Sequence, residues 1–401
     1  MIKAELDEVI EIRHDLHAHP QIGYEETYAS GRVQHHLKRL DVPHQAGLAK
    51  TGVVGWIIPP NVDSHQAVAL RADMDALPIQ EETNLPWSSK HDGYMHACGH
   101  DGHTAILLGA ASILWKLKDQ LSRPVKLVFQ PAEEGYAGGQ KMVETGVLQK
   151  RVGGLEVASI FGLHGFPLIE IGQMTSRPQA LMAAADKLEI SVVGKGGHAA
   201  APHLCVDPIV AAAAIISALQ TLASRNVEPT DATVVTISSI HAGDTYNVLP
   251  DVVHMLGTIR SLSDATAKLV HRRIQEIAER TAAAHGCKAD VDIAIGYPVT
   301  YNDPAATDYA MEVGRSVLGE DKVYELAAPV MGGEDFSFYG KHVPASFSFI
   351  GLRPKGWASY PGLHTSMFDF PDDALAIGIH LMCSWALGGG VDRGQNDGEQ
   401  G

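Results

Sequence analysis

Positive charge is short in this chain. Its 401 residues carry 31 Lys and Arg against 47 Asp and Glu, a formal net charge of −16. That balance argues against nucleic acid or an anionic membrane as a partner. It also means that an anionic small molecule must be held by local positive groups. Cysteine is sparse too: Cys98, Cys205, Cys287 and Cys383 are too few and too scattered for a disulfide framework, so a reducing cytoplasm is the expected setting, with Cys98 free to act as a thiolate. No apolar run approaches the roughly twenty residues of a membrane span, and the acidic start Met1-Ile2-Lys3-Ala4-Glu5-Leu6-Asp7-Glu8 has no apolar signal core. Aromatic residues make up 6% and charged residues 19%, whereas hydrophobic residues reach 45%. The expectation is a soluble, cytoplasmic globular enzyme of roughly two to three domains.

The order of apolar runs sets the architecture. Residues 5–16 read as an amphipathic helix that stops before Pro20, and Val68-Ala69-Leu70 as a short strand leading into Arg71-Ala72-Asp73-Met74-Asp75. A helix over 104–117 and strands at 125–129 and 160–163, the last ending at His164, follow. Short strands alternating with helices predict an α/β domain with a largely parallel sheet, whose site lies beyond the carboxyl ends of the strands. Asp73, Glu133, Glu134 and His164 all fall there. The middle third differs. Strands near 188–192, 233–240, 252–260 and 289–295, with helices at 208–224 and 264–285, give the order βαββαβ of a ferredoxin-like unit. Asp207-Pro208 starts the first of these helices and Gly286 closes the second. Residues 184–295 are therefore expected as an insert between the catalytic parts 1–183 and 296–389, with a disordered Gly-rich tail at 390–401.

Chemistry concentrates at Met95-His96-Ala97-Cys98-Gly99-His100-Asp101-Gly102-His103, where three histidines, one cysteine and one aspartate share nine positions. Imidazole, thiolate and carboxylate are the side chains that hold transition metals. A chance cluster of surface histidines is the plain alternative, since the chain has 21 histidines. After the strand comes Gln130-Pro131-Ala132-Glu133-Glu134-Gly135. One of two adjacent carboxylates can bind metal while the other stands beside the water that the ion acidifies, takes its proton and passes it to a leaving amine. Alone, the pair is equally a solvated acidic loop. Singly, His164 and His364 could each equally be a satisfied core residue. As a set, Cys98, His100, Glu134, His164 and His364 are too many for one open zinc and suit two ions with a shared group.

These motifs together resemble the metallopeptidase M20 family, in particular its amidohydrolase branch of hippurate hydrolases, N-acyl-amino-acid amidohydrolases and auxin-conjugate hydrolases. The resemblance runs over about 14–387. It rests on Leu70 to Pro78, Met95 to His103, Gln130 to Glu134, Gly162-Leu163-His164, Gly194 to His203, Asn247 to Pro250, Gly257 to Ser261, Gly332 to Phe336 and Leu363-His364-Thr365. It implies that Cys98 bridges two divalent ions (Zn, Mn, Co or Ni) per subunit, with His100, Glu134, His164 and His364 as the other ligands and Glu133 as general base and acid. Asp73 and Asp75 would orient a ligand histidine, or form a structural turn. His198 would stabilise the oxyanion, often from a partner subunit. Asn247 and Arg260 would hold the substrate carboxylate, although a surface salt bridge also accounts for Arg260. The family's His-x-x-Pro-Glu reads His17-Ala18-His19-Pro20-Gln21 here, which puts in doubt a local salt bridge but no ligand. Glu334 and Asp335 match the pattern without a role that chemistry assigns.

The expected function is dinuclear-metal hydrolysis of the amide of a small N-acyl amino acid by a homodimer or homotetramer assembled through the inserted lid. A dipeptidase or carboxypeptidase on the same site, and a metal-holding binding protein without turnover, are the alternatives.

Overall fold

A computed structural model describes residues 1–392 of the chain. They form two compact units: Met1–Leu181 with Tyr301–Ala328 and the residues from Asp335 onward, and Met182–Thr300 with Pro329–Glu334.

The first unit is built on an eight-stranded sheet in the order His44–Leu48, Gly52–Ile57, Val125–Gln130, Gln66–Asp73, Glu156–Glu170, Ala345–Arg353, Met174–Ser176, Val323–Glu325. The four strands from Val125–Gln130 to Ala345–Arg353 run parallel, and antiparallel neighbours flank them on both sides. Their apolar runs are continuous because both faces are covered: Val68, Ala69, Leu70, Leu127, Val128 and Phe129 are all 0% exposed. Ile2–His17, His100–Lys116 and Leu375–Leu387 pack on this core. Every residue from His100 to Leu114 is buried, so this helix is a core helix with no solvent face before its last two residues.

Two boundaries differ from the sequence reading. The helix expected from Thr104 starts four residues earlier, at His100, because Gly99 takes a left-handed φ of +87° and turns the chain into it. His100 and His103 therefore lie one turn apart on one helix face. The strand expected to end at His164 runs on to Glu170, since parallel pairing with Ala345–Arg353 carries the ladder past it, His164 opposite Phe349.

Residues 390–392 of the segment expected to be disordered are ordered. Gly389 and Gly390 adopt positive φ and turn the chain back, so that Val391 N–H donates to Ser159 Oγ at 3.1 Å and Arg123 pairs with Asp392 at 2.8 Å. The rest of the expected disordered segment, 393–401, lies outside the described residues.

The second unit has a four-stranded antiparallel sheet in the order Thr233–His241, Val252–Ser261, Ala184–Val193, Lys288–Tyr297. Helices Pro208–Leu219 and Asp264–Ala284 close its core through Ala211, Ile215, Val270 and Ile274. Asp207 Oδ1 accepts from Ile209 and Val210 N–H and caps the first helix; Gly286 at φ +73° ends the second. The segment Pro208–Arg225 is apolar enough to match a membrane span by length and composition, with mean hydropathy 1.3. It breaks into two helices at Gln220 and buries Ala211, Ala212, Ile215 and Leu219 within this unit's core. The unit takes in more than 184–295: the last strand reaches Tyr297, and Ala183 N–H donates to the carbonyls of Val330 and Gly332, which ties Pro329–Glu334 to it.

A Cβ at Gly102 would stand 2.5 Å from Phe370 Cγ, a fully buried ring. Gly102→Ala is expected to destabilise the protein by about 1–3 kcal/mol through overpacking, read from the denaturant midpoint.

Candidate metal centre

The carboxyl ends of the parallel strands carry the site. Cys98 and His100 flank the left-handed Gly99, Glu133 and Glu134 follow strand Val125–Gln130, and His164 lies within Glu156–Glu170. His364 sits in a left-handed conformation (φ +60°), and its N–H donates to Ala97 O at 2.8 Å, which brings its loop against the Cys98 segment. The donor atoms of Cys98, His100 and His164 lie within 4.8 Å of one another, and so do those of Cys98, Glu134 and His364. Cys98 is common to both groups. A third group joins His100 to Glu133 and Glu134. All five expected ligands are thus brought together, with Glu133 beside them.

The hydrogen bonds leave coordinating lone pairs free. His164 Nδ1–H donates to Gly165 O at 2.8 Å, so its Nε2 faces Cys98 Sγ, 3.4 Å away, without a proton. His100 Nδ1–H donates to Asp75 Oδ1 at 3.1 Å, and its buried Nε2 has no hydrogen-bond partner. Glu134 Oε1 lies 3.2 Å from His364 Nε2, whose side chain is half exposed. Asp75 also accepts the Glu134 N–H at 2.8 Å, so one carboxylate sets both the His100 ring and the Glu134 backbone.

Electrostatics makes the same point. Burial, together with the Glu134 carboxylate, pushes the Cys98 thiol well above its ordinary range. Burial likewise disfavours a charged His100, but the buried Asp73 carboxylate beside it outweighs this and moves the ring well above its usual value. Burial and the nearby His103 drive His164 well below its usual value, keeping it neutral. A cation held among these groups would favour the Cys98 thiolate and take the place of the His100 proton. A thiol, imidazoles with bare or orphaned nitrogens and a carboxylate, all buried or half-buried at this spacing, fit divalent transition-metal ions.

Asp73 departs from its expected role. Its Oδ1 accepts from His103 Nδ1–H at 2.7 Å and its Oδ2 from Arg71 Nη1 at 2.6 Å, while His100 Nε2 is 3.8 Å away. His103, which no ligand assignment used, then accepts the Gly165 N–H at Nε2, 2.9 Å away, and fixes the backbone beside His164. The sequence signal was the three-residue spacing from His100, legible once the helix start is known. Asp335 takes a defined place: Arg71 Nη2, Gln130 Nε2 and Gly139 N–H all donate to it at 2.7–2.9 Å, and its own N–H donates to Glu133 Oε1 at 3.3 Å. Arg71, a charged residue inside an apolar strand, was the overlooked pointer to this network. Gln21 leaves no gap: its Oε1 accepts the Tyr28 N–H, and His17 pairs with Asp101 and Glu81 instead.

In the second unit, His198 and Asn247 meet on one small ladder: Val248 pairs with His198, and Ala199 N–H donates to Asn247 O at 3.0 Å. Ala200 N–H donates to His198 Nδ1 at 3.1 Å, which places the ring proton on Nε2. Arg260 lies in the strand Val252–Ser261, half-buried, bonded to Thr258 Oγ1 and Ile259 O, with no carboxylate partner among the described residues. The surface salt bridge that was the plain reading of Arg260 is not formed there. Glu334 accepts from Thr300 Oγ1 through its backbone carbonyl.

A family model for peptidase family M20/M25/M40 matches residues 69–387, and the chain belongs to that family. It is 39% identical over 384 residues to the IAA-amino acid hydrolase ILR1-like 5 of Arabidopsis thaliana, covering 95% of this chain and 86% of that one. Hippurate hydrolase of Campylobacter jejuni is 37% identical over 376 residues, 94% of this chain and 95% of the relative. Among solved structures, a dinuclear metal binding peptidase of the M20 family from Bacillus subtilis superposes with a TM-score of 0.82 at 33% identity, covering 96% of this chain and 98% of the other.

Asp75→Ala is expected to weaken metal binding roughly 10–100-fold, measured by competition with a chelator, because both the His100 ring and the Glu134 backbone lose their orienting partner.

Proposed function

We propose that the protein hydrolyses the amide bond of N-acyl-L-amino acids with two divalent ions per chain, releasing a carboxylic acid and a free amino acid. The observation that carries this reading is the pair of donor groups sharing Cys98, with Glu133 close by but in neither group. Cys98 would be the shared ligand, His100, Glu134, His164 and His364 the others. When bound, the ions would polarise the acyl carbonyl and acidify a water. The roles of the chain's own residues follow. The Glu133 carboxylate, oriented by the Asp335 N–H, takes a proton and delivers it to the nitrogen of the departing amino acid. His198, with its proton on Nε2, is the proposed donor to the oxyanion. Asn247 and Arg260 are the proposed holders of the substrate carboxylate.

The thiolate favours zinc, while imidazole and carboxylate also accept manganese, cobalt or nickel. A reduced Cys98 fits the cytoplasm, and a homodimer or homotetramer through the second unit is the proposed assembly. The relatives' names support an acyl-amino-acid substrate; dipeptide cleavage remains the nearest rival.

Two measurements check the proposal. Chelation should abolish release of free amino acid from N-acetyl-, N-benzoyl- and N-indolylacetyl-amino acids, and zinc or manganese should restore it for one acyl class. Cleavage of dipeptides alone would make the protein a peptidase. Glu133→Gln should lower kcat by about 10²–10⁴ with metal content intact; loss of the metal itself would contradict the assigned role.

A further inference from the structure

The segment that presents Glu133 and Glu134 has an unusual backbone. Ala132 (φ +59°), Gly135 (φ +83°) and Ala137 (φ +54°) are all left-handed, and two of the three are not glycine. Such a conformation persists only where its surroundings enforce it. Three buried carboxylates do so, each taking one main-chain N–H: Glu26 from Ala132 at 2.8 Å, Asp75 from Glu134 at 2.8 Å, and Asp335 from Gly139 at 2.7 Å. Asp75 also faces His100, and Asp335 also faces Arg71.

Glu26 is different. It is 0% exposed, and no cationic side chain pairs with it among the described residues. Its second oxygen accepts from Thr51 Oγ1 at 2.6 Å. It stands at the N-cap of helix Thr27–Arg39, yet its side chain makes no capping bond there. A buried carboxyl with no counter-ion is costly, and helix stability does not account for this one. Its bond to Ala132 does.

We propose that Glu26 is a positioning residue for the amide hydrolysis: its carboxyl clamps the Ala132 N–H and thereby aims the Glu133 side chain that follows. The inference rests on the proton-transfer role proposed for Glu133. The fit around the clamp is close. A Cβ on Gly23, three residues before Glu26, would stand 2.5 Å from Tyr136 Cδ2 and 3.2 Å from Ala132 Cα. Ala132 O in turn accepts the Gly138 N–H at 2.9 Å, where a Cβ would lie 1.7 Å from Pro131 O. The left-handed turn is therefore gripped on both sides. Burial, only partly countered by the Thr51 hydroxyl, pushes the Glu26 carboxyl up to about 7, so a neutral amide of the same shape is a fair replacement.

The test compares Glu26→Gln, Glu26→Asp and Glu26→Ala in the full-length, metal-loaded enzyme, with N-acetyl- and N-benzoyl-amino acids as substrates. Glu26→Gln keeps an acceptor for Ala132 N–H, and the Thr51 hydroxyl can turn to accept from the amide; kcat should stay within about threefold of the parent. Glu26→Ala removes the clamp, and kcat should fall about 30- to 100-fold, with KM within about threefold and metal content unchanged. Glu26→Asp retracts the carboxyl by one methylene and should lose about tenfold in kcat; it carries the comparison if the alanine variant does not fold. Parent-like kcat in the aspartate or alanine variant overturns the inference, as does a glutamine variant that falls as far as the alanine one. Glu133→Gln in the same series separates the two ideas. If it keeps turnover, the reading of Glu133 itself fails; if it is dead while Glu26→Ala is active, only the clamp fails.

Discussion

A buried guanidinium ties the catalytic unit together. Arg71 stands 1% exposed in the middle of a parallel sheet and donates to Asp73, Gln130 and Asp335, which come from two adjacent strand ends and from a loop 264 residues away. A charge so placed is tolerable only if its donors are matched. Matching them forces the ends of Gln66–Asp73 and Val125–Gln130 and the Asp335 loop to one point. The rest of the site hangs from those acceptors. Asp73 goes on to His103 and through it to the backbone beside His164; Asp335 accepts the Gly139 N–H and donates its own N–H to Glu133.

The pocket above this network is built at a cost that an ion offsets. Cys98, His100 and His164 are all buried, the thiol is held neutral by its surroundings, and one imidazole nitrogen has no partner. The buried His100 Nε2 finds no partner within the described protein, a cost that an ion at this place would offset. This is the usual coupling of a preformed metal site to its fold. The same logic explains why buried carboxylates hold the loop of Glu133 and Glu134: a left-handed, buried turn needs fixed acceptors for its N–H groups.

Much of this was legible in the sequence. The apolar strands, the ligand types, the adjacent carboxylates and the βαββαβ order are local patterns, and local patterns follow from side-chain polarity and backbone periodicity. Other features were not legible. The start of the helix at His100 depends on Gly99 taking positive φ, which many glycines do not. His103, Arg71, Gln130 and Glu26 look like ordinary polar residues until their neighbours are known. The continuation of the strand past His164 needed its pairing with Ala345–Arg353, which lies far along the chain.

The sequence by itself determined which chemistry the protein carries: a thiol, imidazoles and paired carboxylates set just beyond buried strands, in the motifs of one hydrolase family. Tertiary structure alone decided which carboxylate meets which histidine and which groups lose their water. Asp73 went to His103 and Asp75 to His100 although only one residue separates the two aspartates. The reason is physical. Side-chain type is a property of each residue, whereas hydrogen-bond direction and desolvation belong to the neighbours that sheet order brings together.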